Sequence, residues 1–448
     1  MPDLAEAQSR VADLVAAAAR AGADAADALY VRSQSTQVQV RLGKLEDVER
    51  SDGEDMSLRV FVGRRSASVS SSDLSGEAMA ALVDRAVAMA REAPEDAFAG
   101  LAPEDRLLRG SGPDVDGDDG ADPAPAALRA LAEEAEDAAR AVAGVTNSEG
   151  AGASAGRSTM ALATSHGFAG AYRTSGYGAS ASVIAGEGAG MQRDHAYHSA
   201  RHLTDLDAAA DIGRRAAERA VARLSPGRLA SGAMPVFFDP RVGASLLGHL
   251  IAAIGGSAIA RRTSFLLDAA GTAVFGPGIT VRDDPHRPRG LRSRPFDGEG
   301  LPTAPTDIVA GGVLTGWLMD SAAARQLGAA PTGHAVRGSG GPPGISASNL
   351  YMLAGPDSPE ALMADVGEGV LVTELIGQGV NGVTGDYSRG ASGFAVRDGQ
   401  VAEPVAGITI AGNLREMFRA LVPASDLRFR RAVDVPTIRI DGMTVAGA

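Results

Sequence analysis

The spacing of hydrophobic residues divides this 448-residue chain into helical and extended stretches. Residues 4–20, LAEAQSRVADLVAAAAR, place Leu4, Val11, Leu14, Val15 and Ala18 on one face, the period of an amphipathic helix. From Ala28 to Ser70 the period becomes two, clearest in TQVQV and SLRVFV. RLGK and SDGED read as turns between antiparallel strands. GEAMAALVDRAVAMAREA returns to helix, with Ser75 as N-cap and Pro94 just past its end.

Residues 94–125 are rich in Pro, Gly and Asp and read as a flexible acidic linker. The five aspartates from Asp114 to Asp122 lack the closing Glu of a calcium loop, so a solvated segment is favoured. Residues 126–143 are helical again, strands follow through GYGASASVIAGEG, and a helix from about Leu206 to Leu224 closes the segment. Helix–strands–helix thus occurs twice, which suggests a duplicated architecture although the sequence repeat is weak. The remainder opens with the strand MPVFFD and an apolar helix. It then alternates Gly-rich strands and hairpins such as VAGGVLTGW and VRDGQVAEPV with short helices at Ser321–Leu327, Ser358–Glu368 and Asn413–Val422. The expected fold is α+β: an N-terminal α+β domain (1–93), the linker (94–125), a central α+β domain (126–230), and a β-rich C-terminal domain (231–448) built on a large, curled, barrel-like sheet.

Composition narrows the function. The net charge of −13 and the lack of a basic stripe argue against nucleic-acid binding. Apolar runs are too short for a membrane span, and the acidic-amphipathic start does not resemble a signal peptide, so a cytoplasmic location is expected. The chain has no cysteine, which removes disulfides, thiolate chemistry and one common metal ligand. Its 57 glycines imply frequent bends and small-residue packing.

Three constellations could carry chemistry. In HAYHSARH, a helical reading places His195, His198 and His202 on one face, where three imidazoles could ligate zinc. No HExxH-type Glu accompanies them, and a partly exposed polar helix or loop is the plainer reading. DDPHRPRG and FDGEG offer Asp283, Asp284, Asp297 and Glu299 as paired carboxylates, although Asp beside Pro or Gly more often makes a turn. The densest block is TELIGQGVNGVTGDYSRGASGF, where Thr384, Asp386, Tyr387, Ser388 and Arg389 gather polar groups among glycines. It is not a P-loop, and Ser388 has no local base. A loop that holds an extended peptide through its backbone and a bulged barrel corner are both open readings.

The blocks MQRDHAYHSARHLTDLD, SFLLDAAGTAVFGPGITVRDDP, FDGEG, GVLTGWLMD, TGHAVRG, VTELIGQGVNGVTGDYSRGASGF and PVAGITIAGNL, in this order, resemble the TldD/PmbA family, also called modulators of DNA gyrase. The resemblance covers nearly the whole chain, and VNGVTGDYSRGASGF and ITIAGNL are similar to the PmbA, or TldE, branch. It implies a subunit of a cytoplasmic heterodimeric zinc metallopeptidase acting on unfolded peptides. Zinc is then held by HExxxH and a later cysteine of a TldD-type partner, and the TldE-type chain completes the chamber. Carried onto SLLGHLIAAIGG, the metal helix places Gly248 at the first ligand, His249 at the glutamate and Ala253 at the second ligand. A one-residue slip puts His249 on the first ligand but Leu250 and Ile254 on the others. Zinc needs about three protein ligands and a base for its water, so neither register makes a site. The expectation is therefore no catalytic residue and no metal in this chain, with Thr384, Asp386, Tyr387, Ser388 and Arg389 as candidate peptide contacts. Two alternatives stand beside it. One is a non-enzymatic homodimeric regulator of a protein such as gyrase, and the other is a stand-alone metal hydrolase using His195, His198 and His202.

Overall fold

The computed structural model describes residues 3–338 and 340–447. The N-terminal amphipathic stretch forms helix α1 (Leu4–Arg20) and buries Ala7, Val11, Leu14, Val15 and Ala18. Strands β1 (Ala25–Arg41), β2 (Lys44–Val62) and β3 (Arg65–Ser71) follow. Helix α2 (Gly76–Glu92) is capped by Ser75, whose hydroxyl accepts from the Ala78 amide, and ends before Pro94. Then come α3 (Pro125–Arg140), β4 (Val145–Thr164), β5 (Ala169–Ala185), β6 (Gln192–Ala200) and α4 (Ala209–Ala222).

The two helix–strands–helix units share one antiparallel sheet of order β3-β2-β1-β4-β5-β6, joined where β1 pairs with β4 from Asp27↔Thr164 to Val40↔Ala151. The 1–93 and 126–230 units are thus continuous through the sheet. All four helices cover one face. Ala28, Tyr30, Leu58 and Val60 pack under α1 and α2, and Val38, Ala153, Ala179 and Ala181 pack under α3 and α4. Small residues bring α3 and α4 very close: a Cβ on Gly213 would lie 2.0 Å from the Ala135 carbonyl oxygen.

Two expectations are corrected. SDGED is not a turn, because β2 runs straight through it with Gly53 opposite Ser33. Its acidic side chains have cross-strand partners instead: Asp52 accepts from Arg32 and Gln34, and Glu54 accepts from Tyr30. The 94–125 segment is not a free linker but a strap laid on the molecule. Asp118 pairs with Arg157, and Asp119 accepts from the Tyr177 hydroxyl (2.5 Å) and the Leu203 amide (2.8 Å). The Arg325 guanidinium, from the C-terminal domain, clasps the carbonyls of Phe98, Gly100 and Leu101.

The C-terminal domain begins with β7 (Gly232–Phe238), α5 (Pro240–Ile254) and α6 (Gly256–Ala260). A region of short elements follows: β8 (Val281–Asp283), β9 (Thr306–Ala310), β10 (Val313–Leu314), α7 (Ser321–Leu327), β11 (Ala335–Val336), β12 (Gly344–Ile345), β13 (Leu350–Met352) and α8 (Pro359–Met363). The chain ends with β14 (Glu368–Ile376), β15 (Asp386–Arg397), β16 (Gln400–Asn413), α9 (Leu414–Ala420), β17 (Leu421–Pro423), β18 (Val433–Asp434) and β19 (Ile438–Ala446). Strands run β16-β15-β14-β7-β19, and β16 pairs back onto β19 through Ile410↔Val445. The barrel-like sheet is therefore a closed five-stranded barrel with β17 appended, and closure leaves few free edges. The α+β fold class is as expected. Among the described residues no helix is long and apolar enough to cross a membrane.

Candidate functional site

Helix α5 starts directly from barrel strand β7. Asp239 caps it by accepting from the Arg241 amide (2.8 Å), and Pro240 occupies its first turn. Leu246, Leu247, Leu250, Ala253 and Ile254 are buried in the C-terminal core. The helix breaks at Gly255, whose backbone is extended.

The donor set on α5 does not fit zinc. Gly248 is exposed and has no side chain, Ala253 is buried among apolar neighbours, and Leu250 and Ile254 of the slipped register belong to the core. Among the described residues no group of three or more His, Asp or Glu side chains could hold a metal ion. His249 faces the Tyr387 ring edge-on, with centroids 6.1 Å apart. Burial, and then the Arg389 guanidinium, lower its pKa, so the imidazole is neutral. Burial pushes the Tyr387 hydroxyl up to about 12, with Arg389 opposing. Neither His249 Nε2 nor the Tyr387 hydroxyl has a hydrogen-bond partner among the described residues, although both atoms are buried.

The five candidate peptide contacts do not share a face. Along β15, Tyr387 and Arg389 point inward and are buried, whereas Asp386 and Ser388 are exposed, the alternation of a strand. Thr384 donates to Asp386 (2.6 Å) and Asn413 donates to Asp386 (3.1 Å), so that end of the block is a hydrogen-bonded turn. The 377–385 loop folds back on the strand, with the Ser388 amide donating to the Gly379 carbonyl (2.7 Å).

The histidine cluster is corrected outright. His195 and His198 lie on strand β6, not a helix, and Ala196 and Ala200 face the core. An i, i+3 pair on a strand points to opposite faces. His195 is exposed and stacks on Tyr197. His198 Nδ1 accepts from the Asp207 amide (3.0 Å), and burial lowers its pKa, so it is neutral. His202 binds Asp116 of the strap. The three imidazoles act separately as structural groups.

Asp297 makes a turn, whereas Asp283 ends strand β8 and bonds across to a distant segment. Asp297 accepts from the amides of Glu299, Leu301 and Ala335, and Asp283 accepts from Ser348. Glu299 accepts from the Ser321 amide and hydroxyl, and burial, with Asp297 nearby, raises its pKa to about 7. The sequence reading missed a buried cluster beneath it. Asp27 of β1 accepts from Arg59 of β2 (Nε, 3.0 Å) and from Arg337 of the C-terminal domain, and all three are buried. No local pattern marks it, since its members are far apart in sequence. Also missed was the run RFRR at 428–431, legible as a basic island in an acidic chain.

Comparison with known proteins places the whole chain. The domains described as PmbA/TldA metallopeptidase domain 1, central domain and C-terminal domain match residues 26–90, 118–224 and 231–447. Metalloprotease PmbA of Escherichia coli O157:H7 is 37% identical over 95% of this chain and 92% of its own length. The Haemophilus influenzae PmbA homologue is 35% identical over 99% of this chain and 96% of its own. A Bacteroides thetaiotaomicron protein that carries the name of a DNA gyrase modulator superposes with a TM-score of 0.91 at 26% identity, over 99% of both chains. TldE of Thermococcus kodakarensis has the same fold, with a TM-score of 0.88 at 21% identity over 98% of this chain and 100% of its own. From its three matched domains and full-length relatives, the chain belongs to the TldD/PmbA family of metallopeptidases.

Proposed function

We propose that this chain is the TldE-type subunit of a cytoplasmic heterodimeric metallopeptidase acting on unfolded peptides. It supplies interface and peptide-holding surface, and a TldD-type partner carries the zinc. The observation that carries this reading is the donor set of α5: Gly248, His249 and Ala253 stand where three functional side chains are needed, in a family whose relatives are named metalloproteases. The buried Nε2 of His249 and hydroxyl of Tyr387 support it, because they offer hydrogen-bonding groups that have no partner among the described residues.

Coexpression with a TldD-type chain, followed by size-exclusion chromatography and zinc analysis of each subunit, tests this. Co-elution, zinc only on the partner, and peptidase activity only in the mixture are the expected results. Stoichiometric zinc on this chain alone would overturn the reading. A lone homodimer that ignores the TldD-type chain would favour the regulatory alternative.

A further inference from the structure

Where the central sheet meets the C-terminal domain lies a cleft of about 640 Å³, walled by β6, α4, the start of α5, β14 and residues 426–437. Some of its charges are matched: Asp207 holds Arg215 (2.7 Å) and Arg430 (2.5 Å), and Asp239 holds Arg241 (3.2 Å). Arg219, Arg428 and Arg431 are not, since among the described residues no carboxylate oxygen lies within 4.0 Å of them. Among the described residues the Arg219 guanidinium donates to the His195 carbonyl (3.2 Å), and the Arg431 guanidinium to the Tyr197 hydroxyl (3.0 Å) and the Pro240 carbonyl (3.3 Å). Burial, and then Arg241, pull the pKa of Arg219 down, with the more distant Asp194 and Asp239 opposing. The lining carries six arginines against five carboxylates, a slight excess of cations in a chain of net charge −13.

Two further atoms of the lining are orphans. Among the described residues Thr373 Oγ1 and Asp434 Oδ2 have no hydrogen-bond partner, although their residues are only 8% and 4% exposed. The nearest cation to Asp434 Oδ2 is Arg287, at 3.7 Å. The other lining carboxylates are engaged by arginine or threonine partners, so the cleft combines guanidinium and hydroxyl donors with one unpartnered carboxylate oxygen, Asp434 Oδ2. A bare inorganic anion satisfies the donors and leaves the acceptor unused. The last residue of a peptide satisfies both, with its α-carboxylate on the cations and its amide N–H on Asp434.

The approach to the cleft suits an extended chain. On the sheet face opposite the helices, Gly152, Ser154, Gly178 and Ser180 form a low floor between Gln37 and Gln39 on one side and Tyr197 on the other. His195 and Tyr197 line both floor and cleft.

We propose that this cleft binds the C-terminal carboxylate of a peptide whose preceding residues lie along the floor, which fixes the direction in which the peptide is held. The inference rests on the peptide-holding role above. Calorimetric titration of the full chain with tetra-alanine, its C-terminal amide, its N-acetyl form and inorganic phosphate tests it. Expected is binding of the free acid, at least tenfold weaker binding of the amide, and no penalty for N-acetylation. Arg428→Gln, at an exposed position without a partner among the described residues, and Thr373→Val should each weaken the free acid at least threefold while thermal melts stay unchanged. Equal affinity for acid and amide, no binding of either, or tighter binding of phosphate than of the peptide would overturn the proposal. If co-elution with the TldD-type chain persists while acid and amide are not distinguished, only the cleft assignment fails. If co-elution is lost, the subunit reading fails.

Discussion

Two buried polar groupings in this protein contrast sharply. The Asp27–Arg59–Arg337 cluster, at the junction of sheet and C-terminal domain, pairs its carboxylate with both cations. The His249–Tyr387 pair, at the barrel, leaves buried polar atoms without partners among the described residues. Paired charges fix the way domains dock, because breaking the pair strands a charge away from water, and this holds although Arg337 Nε itself has no hydrogen-bond partner among the described residues. Unsatisfied groups in a folded chain need an explanation, and a binding surface awaiting its partner is a physical one.

The contrast can be broken at its strongest point first. Asp27→Ala leaves two buried guanidiniums without their carboxylate and should cost roughly 3–5 kcal/mol, read by urea denaturation. A loss near zero would show that the junction is held by other contacts. Next, Glu299 holds its proton more tightly in the folded state, with a pKa of about 7 against an ordinary 4.5. Stability should therefore fall as pH rises from about 4.5 toward 7 and level off above. Glu299→Gln keeps the acceptor for Ser321 and should flatten that part of the pH–stability curve.

A smaller effect is expected from His198→Ala, which removes the acceptor of the Asp207 amide and should cost about 1 kcal/mol while leaving metal content unchanged. Smallest of all, Tyr387→Phe deletes a hydroxyl without a hydrogen-bond partner among the described residues and should shift stability by no more than about 0.5 kcal/mol. Loss of partner co-elution in Tyr387→Phe, with stability intact, would show that the hydroxyl is used across the interface. A stability loss comparable to that of Asp27→Ala would abolish the distinction between the two groupings.

Much of the fold was legible. Helix α1 followed from its 3.6-residue pattern, α2 from its pattern and the Ser75 cap, and α7 has the expected bounds, because its cap, Asp320, and its left-handed Gly328 stop are encoded locally. SDGED was misread because a turn signature inside a long strand is overridden by cross-strand pairing on both sides. HAYHSARH was misread because helical spacing was applied to a strand. The alternation of Ala196 and Ala200 with polar residues was the better signal. The acidic 94–125 segment looked solvated because its partners, Arg157, Tyr177 and Arg325, lie elsewhere in the chain.

By itself the sequence determined the element types, the α+β class, the likeness to the TldD/PmbA family and the missing donors at Gly248 and Ala253, since these depend on local pattern or on residue identity. Only the tertiary structure decided that two units share one sheet, that the barrel closes through β16 and β19, and that His195, His198 and His202 diverge. It alone brought Arg219, Thr373 and Arg431 around one cleft. Those outcomes are set by contacts between residues far apart in the chain, and no local period carries that information.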